Sequence, residues 1–582
     1  MVSSSPLAED PSSSSPLLHE DVDTVKAAVG GRGRSATGGW SAAIYIIWVE
    51  VAERFAYNGA SSNMMTYLTR YLHQSTATAA KNVNVWNGVA TIIPLLGAFI
   101  ADSYMGRYPT IIVSSFIYVM GLSMLTLSAI LPSLRPPVSC VYNGGRFFCH
   151  LPSAGQAGFF FTAIYMVALG QGGHKPCVQA FGADQFDEDN QEERMWKQSF
   201  FNWWYFGISN GSLLAVSVMM FVQDNIGWGW GFGIPAVAMA AGLLVFLAGR
   251  KKYRLKQVGL SPMTEIAQVF VAAVRKRNVS YLGETESEIF WASGSALPGP
   301  LRARGDQFRW LDKAAIPDEQ DRAVSKKNKW RLCSVRQVED AKLLLRLVPI
   351  WASCLLYTIV YAQSPTFFTK QGITMDRKLG STFMVPPAAL QTFINVVALI
   401  VVPLYDRLII PMARKVKGDE CGITTLQRIG TGIFVSAIAM VVAALVELKR
   451  LRVAADYGLL DLPNTTIPMS IVWLIPQYVL FGVADVFTVV GLQEFFYNQM
   501  PNDLRSVGAA IYLCVFGLGS LLSSLLISVI DGLSSLGGGE SWFSDNINRA
   551  HLDYFYSLLA LLCTLSLIVY VYFARIYVYK PH

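Results

Sequence analysis

Twelve apolar stretches dominate the chain and strongly limit the folds available to it. They fall into two sets of six, separated by a long polar interval. About 20 consecutive apolar residues are long enough to cross the hydrocarbon core of a bilayer as a helix. The predicted spans lie at about 41–71, 84–103, 109–131, 155–176, 198–222, 229–249, 341–363, 383–405, 424–447, 469–498, 505–530 and 553–577.

Composition agrees with a chain that crosses a membrane many times. Of the 582 residues, 53% are hydrophobic and only 15% are charged, with a mean hydropathy of +0.38. Soluble domains carry roughly 25% charged residues. The net charge of +7 could indicate a nucleic-acid partner, but the basic residues lie in loops beside the spans, as the positive-inside rule predicts. We therefore expect the lipid bilayer, and no nucleic acid, as a partner.

The basic residues also predict the orientation. Dense basic clusters lie in the interval at about 250–340, and an even number of spans places both termini on the same side as that interval, the cytoplasm. Residues 1–40 have no apolar region typical of a signal peptide, so the first span should act as the insertion signal. The expected domains are a disordered tail (1–40), a six-helix bundle (41–249), a basic linker (250–340), a second bundle (341–577) and a short tail (578–582).

Two loops should then face outward. One contains Cys140 and Cys149, which are candidates for a disulfide if that side is oxidising. The other contains Asn464 within an Asn-Thr-Thr sequon, a glycosylation candidate.

The two halves are weakly similar to each other in sequence. Asp102 and Arg107 follow the second span, and Asp406 with Arg407 follows the eighth. Parallel six-helix repeats with a substrate site between them near the bilayer midplane define the major facilitator architecture. We expect an all-α, twelve-span fold of this kind, with Asp102 and Arg107 acting in gating.

The first span carries three charges where lipid tolerates few. Glu50, Glu53 and Arg54 lie within five positions, and an ionised side chain at the bilayer centre costs at least about 2.5–3.5 kcal/mol. Positions i, i+3 and i+4 share one helix face, so the three side chains can point into one polar path.

Two further charges lie deep in spans. Lys175 follows a Gly-rich stretch that we expect to loosen its helix and let the amine turn inward, and Asp485 lies in mid-span. With the three charges of the first span, the set holds three acids and two bases. One carboxylate, Glu50 or Glu53, should therefore take a proton before the site closes, with Arg54 and Lys175 as alternating partners. Among the aromatic residues, Tyr57 and Tyr361 fall at a similar depth and are predicted to line the site.

These motifs resemble the proton-coupled oligopeptide transporters, including the plant nitrate/peptide transporter family, and the tail and entry into span one most resemble its fifth subfamily. The resemblance runs from about residue 40 to 577. It rests on the ExxERFxY run Glu50–Tyr57, Gly97–Arg107, Gly172–Pro176, Ala183–Phe186, Phe201–Phe206, Asn210–Ser212, Phe308–Ala315 and Gly491–Tyr497.

The resemblance implies proton symport by alternating access. The ExxER residues would carry proton coupling with Lys175, and Asp485 would help to bind substrate or hold the halves together. The family's second tyrosine after ExxERFxY is Asn58 here, and its usual Glu in span ten is the shorter Asp485. The predicted substrate-binding residues are Tyr57, Asn58, Lys175, Tyr361 and Asp485. A histidine that binds nitrate in the family's dual-affinity nitrate transporter corresponds to Tyr361, so nitrate would here have to be recognised by Arg54 or Lys175. That transporter's regulatory phosphosite corresponds to Thr110, which is a phosphorylation candidate.

The sequence therefore predicts a proton-coupled symporter of a small polar or anionic solute, such as nitrate or di- and tripeptides. A solute-sensing receptor and a carrier of hormones or specialised metabolites are the alternatives. No nucleophile–base pair or metal cluster indicates an enzyme, and we expect no cofactor. The sequence leaves the oligomeric state, and the choice between plasma and vacuolar membrane, undecided.

Overall fold

The structure of the protein is a computed structural model. It describes residues 37–135, 140–143, 146–149, 151–187, 190–255, 262–278, 307–317, 328–380, 383–418, 423–463, 465–500, 505–536 and 540–577.

The described part is built almost wholly of helices. The α-helices are α1 (Trp40–Ser61), α2 (Met64–Arg70), α3 (Thr76–Ile100), α4 (Arg107–Ile130), α5 (Ala154–Ala183), α6 (Gln191–Leu214), α7 (Met220–Asn225), α8 (Trp228–Ala248), α9 (Pro262–Arg275), α10 (Val335–Ser353), α11 (Leu355–Tyr361), α12 (Thr369–Ile373), α13 (Thr392–Leu404), α14 (Ile410–Lys417), α15 (Thr425–Asp456), α16 (Ile475–Gln499), α17 (Arg505–Ser534) and α18 (Leu552–Ile576). The 3₁₀ helices are Gly249–Lys252, Arg309–Ala315, Pro387–Gln391 and Ile471–Leu474.

Three small strand pairs lie in loops. Strands β1 (Cys140–Asn143) and β2 (Arg146–Cys149) are antiparallel. The others are β3 (Met375–Asp376), which pairs in parallel with β6 (Ile467–Ser470), and β4 (Lys378–Leu379), which pairs with β5 (Phe383–Met384).

The helices confirm an all-α membrane fold. Within the described residues, nine helices are long and apolar enough to cross a membrane, and α10 with α11–α12 forms a tenth such segment, bent by 48°. These ten match the predicted spans two, three and five to twelve. Helices α1 and α5, of 22 and 30 residues, lie at the first and fourth predicted spans.

Short π-helical segments lie at corresponding positions in the two halves. One (Ala101–Met105) follows α3 and contains Asp102, and another (Tyr405–Ile409) follows α13 and contains Asp406. A π-helical turn inserts an extra residue into the helix and is frequent at functional sites. The second helix of each half therefore ends in the same backbone feature.

Glycines set the distance between α3 and α5. A Cβ atom on Gly97 would lie 2.1 Å from the carbonyl oxygen of Gly172, and one on Gly172 would lie 2.0 Å from Ile93 Cγ2. Only glycine permits so close an approach. Helix α5 continues unbroken through Pro176, so the prediction that it loosens there is wrong, because these glycines serve close packing.

Four polar contacts join the two halves at one end of the bundle. Gln391 Nε2 donates to the carbonyl oxygen of Ser62 at 3.0 Å, and Arg377 Nη1 lies 3.9 Å from Asp224 Oδ2. Two more cross-half contacts are those of the Thr76 amide with Asp545 Oδ1 at 2.8 Å and of Lys81 Nζ with Asp531 Oδ2 at 3.6 Å. We call these four the opposite-end contacts, because every loop involved lies at the end of the spans away from the interval between α8 and α10.

Part of that interval packs on the second half. The ammonium of Lys342 in α10 lies 2.6 Å from Asp312 Oδ1 and 2.9 Å from Glu339 Oε1, with Lys342 and Asp312 fully buried. Lys276 donates to the carbonyl oxygen of Ile316 at 2.6 Å. Helix α9 and the 3₁₀ helix Arg309–Ala315 are thus held against the start of α10.

Candidate functional site

The three charges of α1 form one buried cluster. Arg54 Nε donates to Glu50 Oε1 at 3.0 Å and lies 3.1 Å from Glu53 Oε2. Glu50 and Glu53 are 1% and 0% exposed. One guanidinium thus faces two carboxylates, as the helical spacing predicts.

A residue that sequence reasoning missed completes this cluster. His174 on α5 is fully buried, and its ring lies so close to the two carboxylates that one donor atom from each of Glu50, Glu53 and His174 falls within 4.8 Å of the others. Both ring nitrogens of His174 and both carboxylate oxygens of Glu53 make no hydrogen bond within the described part of the chain. The only sequence signal was an imidazole beside Lys175 in an apolar span.

These three residues have the donor types of a metal site. The side chain of Arg54, however, already stands beside both carboxylates, and a fixed cation repels a second one. The arrangement therefore suits the binding of a proton better than that of a divalent metal.

Lys175 is half-buried next to the cluster. The charges of Arg54, Glu53 and Glu50 all act on it, but among the described residues it makes no hydrogen bond and no ion pair within 4.0 Å. Its predicted partnership with the carboxylates is therefore not formed in this conformation.

The second half contributes an acid with its own partner. Tyr357 OH on α11 donates to Asp485 Oδ1 on α16 at 2.7 Å, and Tyr357 is fully buried. Tyr361, one turn further along, is 39% exposed and packs on Phe481 and Phe516, with ring centroids 5.9 and 5.1 Å away. Tyr361 was predicted to line the site and Tyr357 was not, because only the packing of the helices shows which tyrosine reaches Asp485.

Tyr57 and Asn58, which follow the ExxER residues, both make side-chain hydrogen bonds. Tyr57 stacks on Trp86 at 5.6 Å and donates to Asn87 Oδ1 at 3.3 Å. Asn58 Nδ2 contacts the carbonyl oxygen of Arg54 and Ser212 Oγ on α6, both at 3.0 Å. Tyr57 thus faces α3, whereas Asn58 joins α1 to α6.

Asp102 and Arg107 meet at the linker end of the first half. Arg107 Nε lies 3.4 Å from Asp102 Oδ1, and Arg107 Nη1 lies 2.5 Å from Asp184 Oδ2 on the loop after α5. Arg107 thus bridges Asp102, at the end of the second predicted span, and Asp184, which follows the fourth.

The remaining predicted sites lie apart from the cluster. Thr110 is 6% exposed and donates its hydroxyl to the carbonyl oxygen of Gly106 at 2.8 Å. Cys140 and Cys149 are directly opposite each other in the β1–β2 register. Asn464 lies outside the described residues.

Comparison with known proteins identifies the family. The model of the POT family matches residues 108–543. Two Arabidopsis thaliana relatives are Protein NRT1/PTR FAMILY 5.10, 52% identical with 97% of each chain covered, and Protein NRT1/PTR FAMILY 5.13, 48% identical with 94% of each covered.

Solved structures show the same fold. An auto-inhibited POT family peptide transporter is 21% identical with a TM-score of 0.69, and covers 93% of this chain and 99% of its own. The POT family transporter PepTSo is 22% identical with a TM-score of 0.67, and covers 92% and 97%. The chain therefore belongs to the POT family of membrane transporters, among its plant NRT1/PTR members, and is not an enzyme.

Proposed function

We propose that the protein is a proton-coupled symporter that moves a small polar or anionic solute by alternating access. The observation that carries this proposal is the burial of Glu50 and Glu53 around one shared cation, Arg54. Two ionised acids and one base leave a negative charge in a site that excludes water. A proton is the smallest species that removes this charge.

The wider charge count supports the same conclusion. Lys175 adds one positive charge beside the cluster, and Asp485 adds one negative charge from the second half. The five groups together are one positive charge short of neutral. Because a low-dielectric interior disfavours net charge, proton binding favours the closed form of the site, and proton release favours opening.

The contacts between the halves support alternating access. The opposite-end contacts close the bundle at the end away from the linker. If the basic linker and both termini lie in the cytoplasm, as the positive-inside rule favours, this conformation is closed to the outside. Transport then requires these contacts to break while the two bundles, 41–249 and 341–577, rock about the central site.

Nitrate and other small anions are the substrates we favour over di- and tripeptides. Lys175 has no partner within 4.0 Å among the described residues, so its ammonium can pair with an anion. Asp485, the acid that would meet a peptide amine, is already bonded to Tyr357. In this proposal Tyr57 and Tyr361 flank the solute and Asn58 holds α1 against α6.

A substrate panel in oocytes tests the proposal. Uptake of nitrate, other small anions, dipeptides and tripeptides is compared at pH values of about 5.5 and about 7.4, which bracket the titration of a buried carboxylate. We expect at least one solute to enter several-fold faster at the acidic pH and to carry inward current. Binding without pH-dependent flux would favour a solute sensor instead.

The membrane in which the protein resides is a separate question. A fluorescent fusion in plant cells decides between plasma and vacuolar membrane.

A further inference from the structure

Glu53 and His174 are two buried polar groups that lack hydrogen bonds and lie side by side. Each is fully buried, and none of their four polar atoms has a hydrogen-bond partner within the described part of the chain. Their nearest donor and acceptor atoms lie within 4.8 Å of each other. Buried polar atoms without partners are costly, so two adjacent ones indicate a bond that forms in another state.

The roles of the two glutamates differ in this geometry. The Nε–H of Arg54 is donated to Glu50 Oε1, whereas Glu53 is only an ionic neighbour of that nitrogen and accepts no hydrogen bond. Glu50 keeps one carboxylate oxygen without a hydrogen bond, whereas both oxygens of Glu53 lack one, so Glu53 has the greater capacity to bond His174. A neutral imidazole offers one donor and one acceptor nitrogen, so it can bond either an ionised or a protonated carboxyl group.

We propose that Glu53 and His174 together hold the coupling proton, in a carboxyl–imidazole hydrogen bond that forms when the proton binds. This inference rests on the proposed proton symport and names the site where the proton is held. A proton from solvent adds to the pair without any other bond breaking, and it leaves to solvent when the site reopens. Because the two groups are coupled, the proton belongs to the pair and to neither residue alone.

The surrounding charges are compatible with one added proton. Glu50 and Arg54 face the pair from α1, Lys175 lies on the helix of His174, and the buried hydroxyl of Tyr118 approaches from α4. Together with Asp485, these groups hold three acids and two bases, so the set is one positive charge short of neutral. One proton makes this set neutral whichever member of the pair carries it.

The proton itself is the probe in the test. The full-length protein, with its histidine rings isotopically labelled, is placed in lipid nanodiscs and followed by infrared difference spectroscopy during a pH titration. The chain has six histidines, so the His174 ring band is taken as the band that His174→Gln removes. We expect a protonated-carboxyl band and this His174 ring band to change with the same midpoint. Glu53→Gln should abolish both changes, and His174→Gln should weaken proton binding about tenfold, a shift of about one pH unit.

His551→Gln is the matched control, because this histidine is 46% exposed and stacks on Tyr554, far along the chain from the cluster. It should leave both bands unchanged. A carboxyl band that titrates while the His174 ring band stays constant would overturn the proposal.

Transport assays separate this inference from the symport proposal. For a solute found in the substrate panel, His174→Gln should still permit uptake, with half-maximal rate at about tenfold higher proton concentration. An unchanged pH profile would contradict the shared proton. Joint titration of the pair in a native protein that shows no pH-dependent uptake would instead contradict symport alone.

Discussion

At the scale of single residues, the chemistry of the buried site depends on which side chains pair with each other. Glu50, Glu53 and Arg54 are joined as their spacing predicts, because a helix places i and i+4 side chains on one face. His174 and Tyr357 enter the site only through the packing of other helices. No local pattern distinguishes them from buried structural residues.

Glu53→Gln should abolish acid-driven uptake, because an amide cannot bind or release the proton. The native and variant proteins are compared for uptake of the same solute at about pH 5.5 and about 7.4. Glu540→Gln is the control: Glu540 is exposed and pairs with Arg549 outside the spans. Unchanged acid stimulation in the Glu53 variant would exclude it as a proton carrier.

Tyr357→Phe should raise the half-saturating concentration of substrate by about 10- to 150-fold, since loss of one hydrogen bond to a charged group is worth about 1.5–3 kcal/mol. The variant leaves Asp485 without its 2.7 Å partner and so changes the orientation of the acid. Concentration-dependent uptake measures the effect. Tyr554→Phe, at an exposed ring, should have none, and equal half-saturation in all three proteins would show that Asp485 does not depend on Tyr357.

At the scale of helices, close packing and buried ion pairs hold the spans in register. In the second half, Arg450 on α15 contacts Glu447 at 2.6 Å, Asn548 at 2.7 Å and Thr374 at 3.2 Å, and both charged residues are fully buried. Gln371 also donates to Glu447 at 2.8 Å. These bonds tie α15 to the loops before β3 and before α18.

Arg450→Ala should lower the free energy of unfolding by about 3–5 kcal/mol, because it leaves the buried charge of Glu447 unpaired. Thermal unfolding of the purified protein in detergent measures the loss. Arg549→Ala is the control, since that arginine is 48% exposed and bonds only surface acids among its described contacts, and its melting temperature should not change. Equal melting of all three proteins would refute the structural role of Arg450.

Gly517→Ala should disrupt the crossing of α3 and α17. A Cβ atom there would lie 2.5 Å from Ile92 Cγ1 and 3.0 Å from the carbonyl oxygen of Gly88, so the helices must move apart. We expect lower yield and a lower melting temperature. Gly532→Ala, in the same helix with no atom within 4 Å, should be neutral or stabilising by about 0.5–1 kcal/mol; matching effects would mean that the crossing tolerates a wider spacing.

At the scale of the whole molecule, the structure shows one of the two conformations that alternating access needs. The opposite-end contacts join the halves at the end of the spans away from the linker. They act together with the close packing of α3 on α17 at Gly517. Sequence analysis located the loops that make them but not the pairs.

Lys81→Gln combined with Asp545→Ala should shift the population away from this conformation. Each partly exposed contact is worth about 0–1 kcal/mol, so the double change predicts up to about a thirtyfold shift. Spin-label distances between the loops after α1 and after α17 would lengthen. Lys449→Gln, a control at a residue that stacks on Trp473 within the second half, should leave the distance distribution of the native protein unchanged.

The sequence by itself determined the membrane fold, ten of the twelve predicted spans and the placing of three charges on one face of α1. These depend on apolar length and helical spacing, which are local properties that a linear pattern records. Only the tertiary structure decided that His174 stands beside Glu53, that Tyr357 takes Asp485, that Asn58 bonds Ser212 and that one end of the bundle is closed. Such contacts depend on the register and rotation of helices far apart in the chain, which are set by close packing at glycines such as Gly97 and Gly517.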